Sequence, residues 1–98
     1  MIFEISEKAN EDLENIWLYT YENWSQQQAD HYYNLILNEI EYITEHFESG
    51  KSFEHIRKGY RSTKVKSHLI FYKKSNKNTI VIIRILHQRM DIEHRLVE

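Results

Sequence analysis

Apolar positions along this chain switch between alternation and helical spacing, and each switch marks an element. Ile2, Phe3 and Ile5 open the chain as a short strand. From Ser6 onward Ala9, Leu13, Ile16, Trp17 and Trp24 follow at helical spacing on one stripe, with Thr20 among them. Glu11, Asp12, Glu14 and Glu22 fall largely off that stripe. Ser6 is predicted to cap this helix, and Glu7 sits in the first turn, where the positive end of the macrodipole favours an acid. The Thr20 hydroxyl is predicted to bond back to the Ile16 carbonyl, and the two Trp are read as core. Ser25-Gln-Gln-Gln28 has the form of a capping box and starts a second helix. Its apolar residues are Ala29, Tyr33, Ile36, Ile40, Ile43 and Phe47, and Gly50 is placed to end it in the left-handed conformation.

The second half alternates. After a polar connection over Lys51–Lys58, Gly59–Lys66 predicts a half-polar strand with Arg61, Thr63 and Val65 on one side and Tyr60, Ser62 and Lys64 on the other. His68–Lys74 predicts another strand, and the Ser75–Asn78 turn cluster joins it to Thr79–His87. That last strand is the most strongly apolar stretch of the chain. Ile80, Ile82 and Leu86 are assigned to one face and Val81, Ile83 and Ile85 to the other, so both faces need cover. Arg84 interrupts the first of these faces. An unpaired guanidinium there costs several kcal/mol, so Arg84 needs a carboxylate, backbone carbonyls or an open cleft. The order is β-αα-βββ, an α+β fold in which a helical hairpin packs on one face of a small, mainly antiparallel sheet. In the polar tail, Gln88–Glu98, Asp91 is placed to cap a short helix with Ile92 and Leu96 on one side.

Ninety-eight residues form one domain, residues 1–98, able to bury about 60–65% of its unfolded surface. The absence of Cys rules out disulfides and thiolate metal sites and suggests a cytoplasmic setting. No apolar run approaches the ~18 residues of a membrane span, and the start lacks the form of a signal peptide. The net charge of −2 hides a polarised chain. In residues 1–50 Lys8 stands against eleven Asp and Glu, a net of −10; in residues 51–98 twelve Lys and Arg stand against four acids, a net of +8. Either the second half meets an acidic or phosphate-bearing partner, or the two halves complement each other in the fold.

Glycine-rich phosphate loops, nucleophile elbows and helical zinc motifs are absent, and no cofactor is called for. His87 and His94 are seven apart, which argues against a shared metal site. What remains is a set of cations and imidazoles in the second half.

Gly50-Lys-Ser52, Ile56-Arg-Lys-Gly-Tyr-Arg61, Ser67-His-Leu-Ile-Phe-Tyr72 and Arg84-Ile-Leu-His-Gln-Arg-Met-Asp91, in this order on a β-αα-βββ frame, resemble the RelE/ParE superfamily of bacterial toxins. The ending Ile83-Arg-Ile-Leu-His87 with Met90-Asp91 looks most like the ParE branch. The resemblance implies a toxin that inhibits DNA gyrase and is neutralised by a co-expressed, ParD-like antitoxin, with neither membrane association nor sequence-specific nucleic-acid binding. RelE-type members share the fold but cleave mRNA on the ribosome, which stays open as the alternative; a non-toxic interaction module is a third possibility. Metal-free RNA cleavage needs a base, an acid and cations at one place. Arg61, Lys64 and His68 are the candidates for such a basic cleft. No Tyr follows Tyr72, where RelE-type members often carry one, and the acidic balance suits ribosomal RNA poorly. For contact with gyrase the candidates are Arg84, His87, Arg89, Met90, His94 and Arg95. The tail is expected to project from the sheet as a cationic, partly apolar patch, so that a chain lacking residues 90–98 still folds. The alternative is that it packs back and seals the sheet's open face.

Overall fold

The computed structural model describes residues 2–76 and 78–97. The parts of the predicted turn and tail that fall on Lys77 and Glu98 lie outside the described residues. The elements are β1 (Ile2–Ile5), α1 (Glu7–Asn23), α2 (Gln26–Glu45), a 3-10 turn (Phe47–Ser49), β2 (Lys51–Ser52), β3 (Arg61–Val65), β4 (His68–Asn76), β5 (Thr79–His87) and α3 (Ile92–Leu96). Both long helices start at their predicted caps: Ser6 Oγ accepts from Ala9 N (3.0 Å) and Ser25 Oγ from Gln28 N (3.1 Å). Thr20 Oγ1 donates to the Ile16 carbonyl at 2.8 Å. No helix among the described residues is long and apolar enough to cross a membrane.

Two expectations for the hairpin are corrected. Trp24 is 75% exposed rather than core, because α1 ends at Asn23 and the next residue has left the helical path. Trp17 sits at the helix–helix seam, stacked on Tyr21 and donating from Nε1 to Asp30 (2.9 Å). At the other end α2 stops at Glu45, and Phe47 turns edge-on to Tyr72 in the 3-10 turn. Gly50 is extended (φ −77°), not left-handed. Its role is close approach: a Cβ there would collide with the Tyr72 hydroxyl and come within 2.8 Å of the Ser62 carbonyl.

The sheet order is β1-β5-β4-β3-β2, with β1 parallel to β5 and every other pair antiparallel. The hairpin covers one face, where Ala9, Leu13, Ile36, Ile40 and Ile43 pack on Val65, Ile70, Tyr72, Ile80, Ile82 and Ile85. A second core fills the other face, with Tyr60, Phe71, Leu86 and Leu96 at its centre and Phe53, Ile56 and Ile92 against them. The connection before β3 and α3 therefore act together as the cover that the doubly apolar β5 demands.

The face assignment of β5 changes half-way along. Tyr72 pairs with Ile82 but Phe71 pairs with Arg84, so Ile83 is an extra residue. This bulge inverts the alternation beyond it. Ile85 joins Ile80 and Ile82 under the helices, and Leu86 joins Ile83 on the opposite side. Strict period-two counting puts Ile85 and Leu86 on the wrong faces for that reason.

The tail does not project. Leu96 is 5% exposed and Ile92 packs beside it, so α3 seals the second face. The Leu96→Ala substitution should cost about 2–4 kcal/mol, and removal of residues 90–98 should cost more, both read from urea denaturation followed by circular dichroism. A truncated chain with an unchanged midpoint would show that the second core does not depend on α3.

Candidate functional site

The end of β5 is the most polar part of an otherwise apolar strand, and its surroundings follow from where β1 stops. Pairing between β1 and β5 ends at Ile5 and Ile82, which leaves the next residues of β5 with an open edge. The start of α1 closes it. Ser6 N donates to the Ile82 carbonyl (3.0 Å), Ser6 Oγ donates to the Ile83 carbonyl (2.9 Å), and Asp12 Oδ2 accepts from Ile85 N (2.9 Å). The same carboxylate takes Arg84 through Nε (2.9 Å) and Nη2 (3.1 Å), while Nη1 reaches the Arg95 carbonyl at 3.4 Å. Both side chains are almost out of solvent, at 11% and 13% exposure. Arg84 thus has the carboxylate and carbonyl partners that its place on β5 requires, and it ties α1 and α3 to the strand.

Across β4 and β5, His68 and His87 are paired, with ring centroids 5.2 Å apart. The Tyr32 hydroxyl lies 2.6 Å from His68 Nδ1 and donates to the Val65 carbonyl at 3.0 Å. A hydroxyl has one proton, so that network assigns the other to Nδ1, giving the chain His68 Nδ1–H to Tyr32 O–H to Val65 O. Burial, helped by the neighbouring His87 and opposed by Asp12, lowers the His68 pKa to about 4. His68 is therefore a neutral imidazole at neutral pH. Burial also raises the Tyr32 phenol above its ordinary range.

The remaining candidates divide between distinct places. Arg61 faces the hairpin, paired with Tyr72, and its Nη1 donates to the Gly50 carbonyl (2.7 Å). Lys64 pairs with Leu69, which belongs to the opposite core. Arg61 and Lys64 thus lie on opposite faces of β3 and His68 carries no charge, so the three form no common basic cleft. Alternation along one strand is the reason. Arg84 and Arg95 line a cavity of about 410 Å³ together with Lys8 and Arg57, over Tyr60 and Leu96. His94 lines a separate hollow of about 500 Å³ with His55, Asp91 and Glu93. Arg89 and Met90 are exposed between β5 and α3, and Arg89 N donates to His87 Nδ1 (3.1 Å). Among the described residues no three His, Asp or Glu are placed to hold a metal ion.

Known proteins match this arrangement along most of the chain. The family described as "ParE toxin of type II toxin-antitoxin system, parDE" matches residues 3–92. The chain belongs to the ParE toxin family. It is accordingly a toxin of the type II toxin–antitoxin class. Toxin ParE1 of Mycobacterium tuberculosis is 36% identical over 92 residues, covering 94% of each chain. Toxin ParE1 of Caulobacter vibrioides is 36% identical over 94 residues, covering 96% of each. A solved structure, "Chromosomal ParDE TA system from P. aeruginosa", matches with a TM-score of 0.76 over 89% of this chain and 95% of the other, at 18% identity, and so shares the fold.

Among the residues of this ParE-family chain that sequence reasoning passed over, Asp12, Tyr32 and Arg57 stand out. Arg84 announced that a carboxylate was needed, but nothing local singled out Asp12 among eleven acids in residues 1–50. Tyr32 takes the inward place on α2 that the spacing predicts for Tyr33, which is 37% exposed, and from there packs on the core and meets His68.

Two measurements test this geometry. Arg84→Ala should cost about 1–3 kcal/mol in urea denaturation, and Asp12→Ala should cost more, because it strands both a guanidinium and the Ile85 N–H. Negligible losses in both variants would mean the fork adds nothing to the fold, and equal ones that the bond from Ile85 N adds nothing beyond it. The His68 pKa is depressed from 6.5 to about 4, so within that window the unfolded chain binds the proton first. Stability should fall as pH drops from about 6.5 toward 4, and His68→Gln should flatten that part of the profile. An identical profile in the variant would contradict the buried neutral imidazole.

Proposed function

We propose that this toxin acts on DNA gyrase by binding, without catalysis of its own, and that a ParD-like antitoxin holds it inactive in the cytoplasm. The observation that carries the reading is α3. Its apolar side is anchored in the second core by Ile92 and Leu96, while Arg89, Met90 and His94 remain exposed around it. A short helix fixed by its buried side, with Arg89 and a flexible Met displayed on the turn before it and His94 on the helix itself, suits protein recognition. A nuclease reading draws less support, because Arg61 and Lys64 face opposite sides and His68 is a neutral imidazole engaged by Tyr32.

The antitoxin reading draws support from the hairpin. Leu18, Tyr19, Tyr21 and Trp24 on and after α1, and Tyr33 and Tyr42 on α2, are large, apolar and between 37% and 75% exposed. A surface of that kind calls for a partner. The matching fold from P. aeruginosa is that of a ParDE system, which favours a ParD-like chain as that partner. A segment that orders as it binds would bury more than the ~1,600 Å² of a standard interface.

The deciding experiment titrates the purified toxin into gyrase supercoiling and DNA-cleavage assays, beside an in vitro translation reaction with mRNA end-mapping. Inhibited supercoiling with intact mRNA is expected. Arg89→Ala combined with His94→Ala should weaken inhibition by about tenfold or more, with unchanged circular dichroism and antitoxin capture. Codon-linked mRNA cuts with unaffected gyrase would replace this reading with the RelE-type one.

A further inference from the structure

We infer that the outward face of the helical hairpin is the seat of a basic, partly apolar segment of the antitoxin, one that presents Arg and Lys among its apolar residues. The inference rests on the antitoxin reading above and adds the chemistry of the segment. The inward sides of α1 and α2 are committed to the sheet through Ala9, Leu13, Ile36, Ile40 and Ile43. Leu18, Tyr19, Tyr21 and Trp24 form a second apolar set, gathered toward the tip where α1 gives way to α2, and they stay exposed. Tyr21 stacks on Trp17, which reaches Asp30 across the helix–helix seam, so the set borders both helices. Exposed rings of this size mark a docking surface, and the charges around them decide what fits.

Those charges are acidic and unanswered. Glu14, Leu18 and Glu22 follow four apart and share one exposed side of α1, with Tyr21 one turn from Leu18. Glu7 and Glu11, and Glu41 and Glu45 on α2, also stand four apart, where like charges repel. Glu22 and Glu45 fall in the last turns of their helices, at the negative end of the macrodipole, and neither last turn holds a base. Lys8 is the one Lys or Arg of residues 1–50, and among the described residues none of Glu11, Glu14, Glu22, Glu41 and Glu45 forms a salt bridge. The hairpin thus keeps acids at positions that weaken its own helices, a local conflict of the kind found at functional surfaces. A cationic partner removes that repulsion. The exposed faces of Tyr and Trp attract the same groups, guanidinium above all. Nucleic acid, an anionic lipid surface and an acidic peptide would each meet like charge along the whole face. The seat is also separate from Arg89, Met90 and His94, because the hairpin and α3 cover opposite faces of the sheet.

The test measures binding of the full toxin chain to its co-expressed antitoxin at low and high salt. Two synthetic helical peptides with identical apolar positions, one carrying Arg and the other Glu elsewhere, serve as defined probes. Antitoxin binding should weaken as salt rises, and the Arg peptide should shift the amides of Leu18, Tyr21 and Trp24 while the Glu peptide does not. Glu14→Lys combined with Glu22→Lys should weaken antitoxin binding by about tenfold or more at low salt, chiefly through slower association. The same variant should melt no lower than wild type, since both side chains are exposed and Glu22→Lys places a cation at the negative end of α1. Lower affinity without lower stability separates a lost contact from a damaged fold. Unchanged or tighter antitoxin binding by the double variant, or an equal response to the Glu peptide, would overturn the basic segment and leave the antitoxin reading intact. No binding of antitoxin to the wild-type chain would overturn both. Self-association of the toxin alone, abolished in the double variant, would make a second copy the occupant and overturn the proposal as well.

Discussion

An open backbone edge on β5, the strand next to the sheet's β1 edge, governs this structure. β5 is longer than its parallel neighbour β1, and beyond Ile82 its polar groups have no strand on that side. Buried backbone groups left unpaired cost as much as lost hydrogen bonds. The chain resolves this immediately after β1 by turning α1 so that Ser6 and Asp12 take the place of a strand. That solution fixes where α1 begins and which way it leans. It also puts a carboxylate beside the bulge, and the carboxylate in turn makes it possible to keep Arg84 in an apolar strand.

The charge asymmetry of the two halves is partly answered by the same contact. Asp12 from the acidic half meets Arg84 from the basic half, and Glu39 on α2 accepts from Thr63 on β3. Among the described residues, most of the eleven acids in residues 1–50 and of the twelve cations in residues 51–98 are exposed. Most of the asymmetry is carried on the surface, where it steers partners rather than stabilising the fold. The exposed hairpin is acidic and aromatic, whereas the cavity beside α3 is cationic. One small domain therefore presents two surfaces of unlike chemistry.

The elements, their order and the hairpin-on-sheet architecture were legible because each rests on a local signal. Ser6 and Ser25 cap where their side chains predict, and the doubly apolar β5 does sit between two layers. What escaped were features set by tertiary geometry. A bulge at Ile83 has no sequence mark in a strand whose apolar run is broken only by the Arg84 beside it, and it reverses two face assignments. Gly50 looked like a helix terminator, yet its place is dictated by a Tyr hydroxyl and a backbone carbonyl that lie far along the chain. The candidate site was legible as a list but not as a set. Strand alternation separates Arg61 from Lys64, while folding brings Arg84 and Arg95 together with Lys8 and Arg57, which no spacing connects.

The position of α3 couples stability to recognition in this toxin. Five residues form the helix, and Ile92 and Leu96 hold it on the second core through a small apolar area. A helix this short has almost no stability of its own, so its order depends on that contact and on Asp91, whose side chain accepts from His94 N (3.3 Å). The exposed cations on and before it are consequently presented by one of the segments least able to hold itself in place. Arg84 offsets this by reaching the Arg95 carbonyl from β5, linking the tail to the Asp12 fork at the strand edge. The interaction that closes the open edge of β5 thus also steadies the surface through which the proposed target would be met. A substitution at Asp12, on the far helix, would reach that surface without touching it.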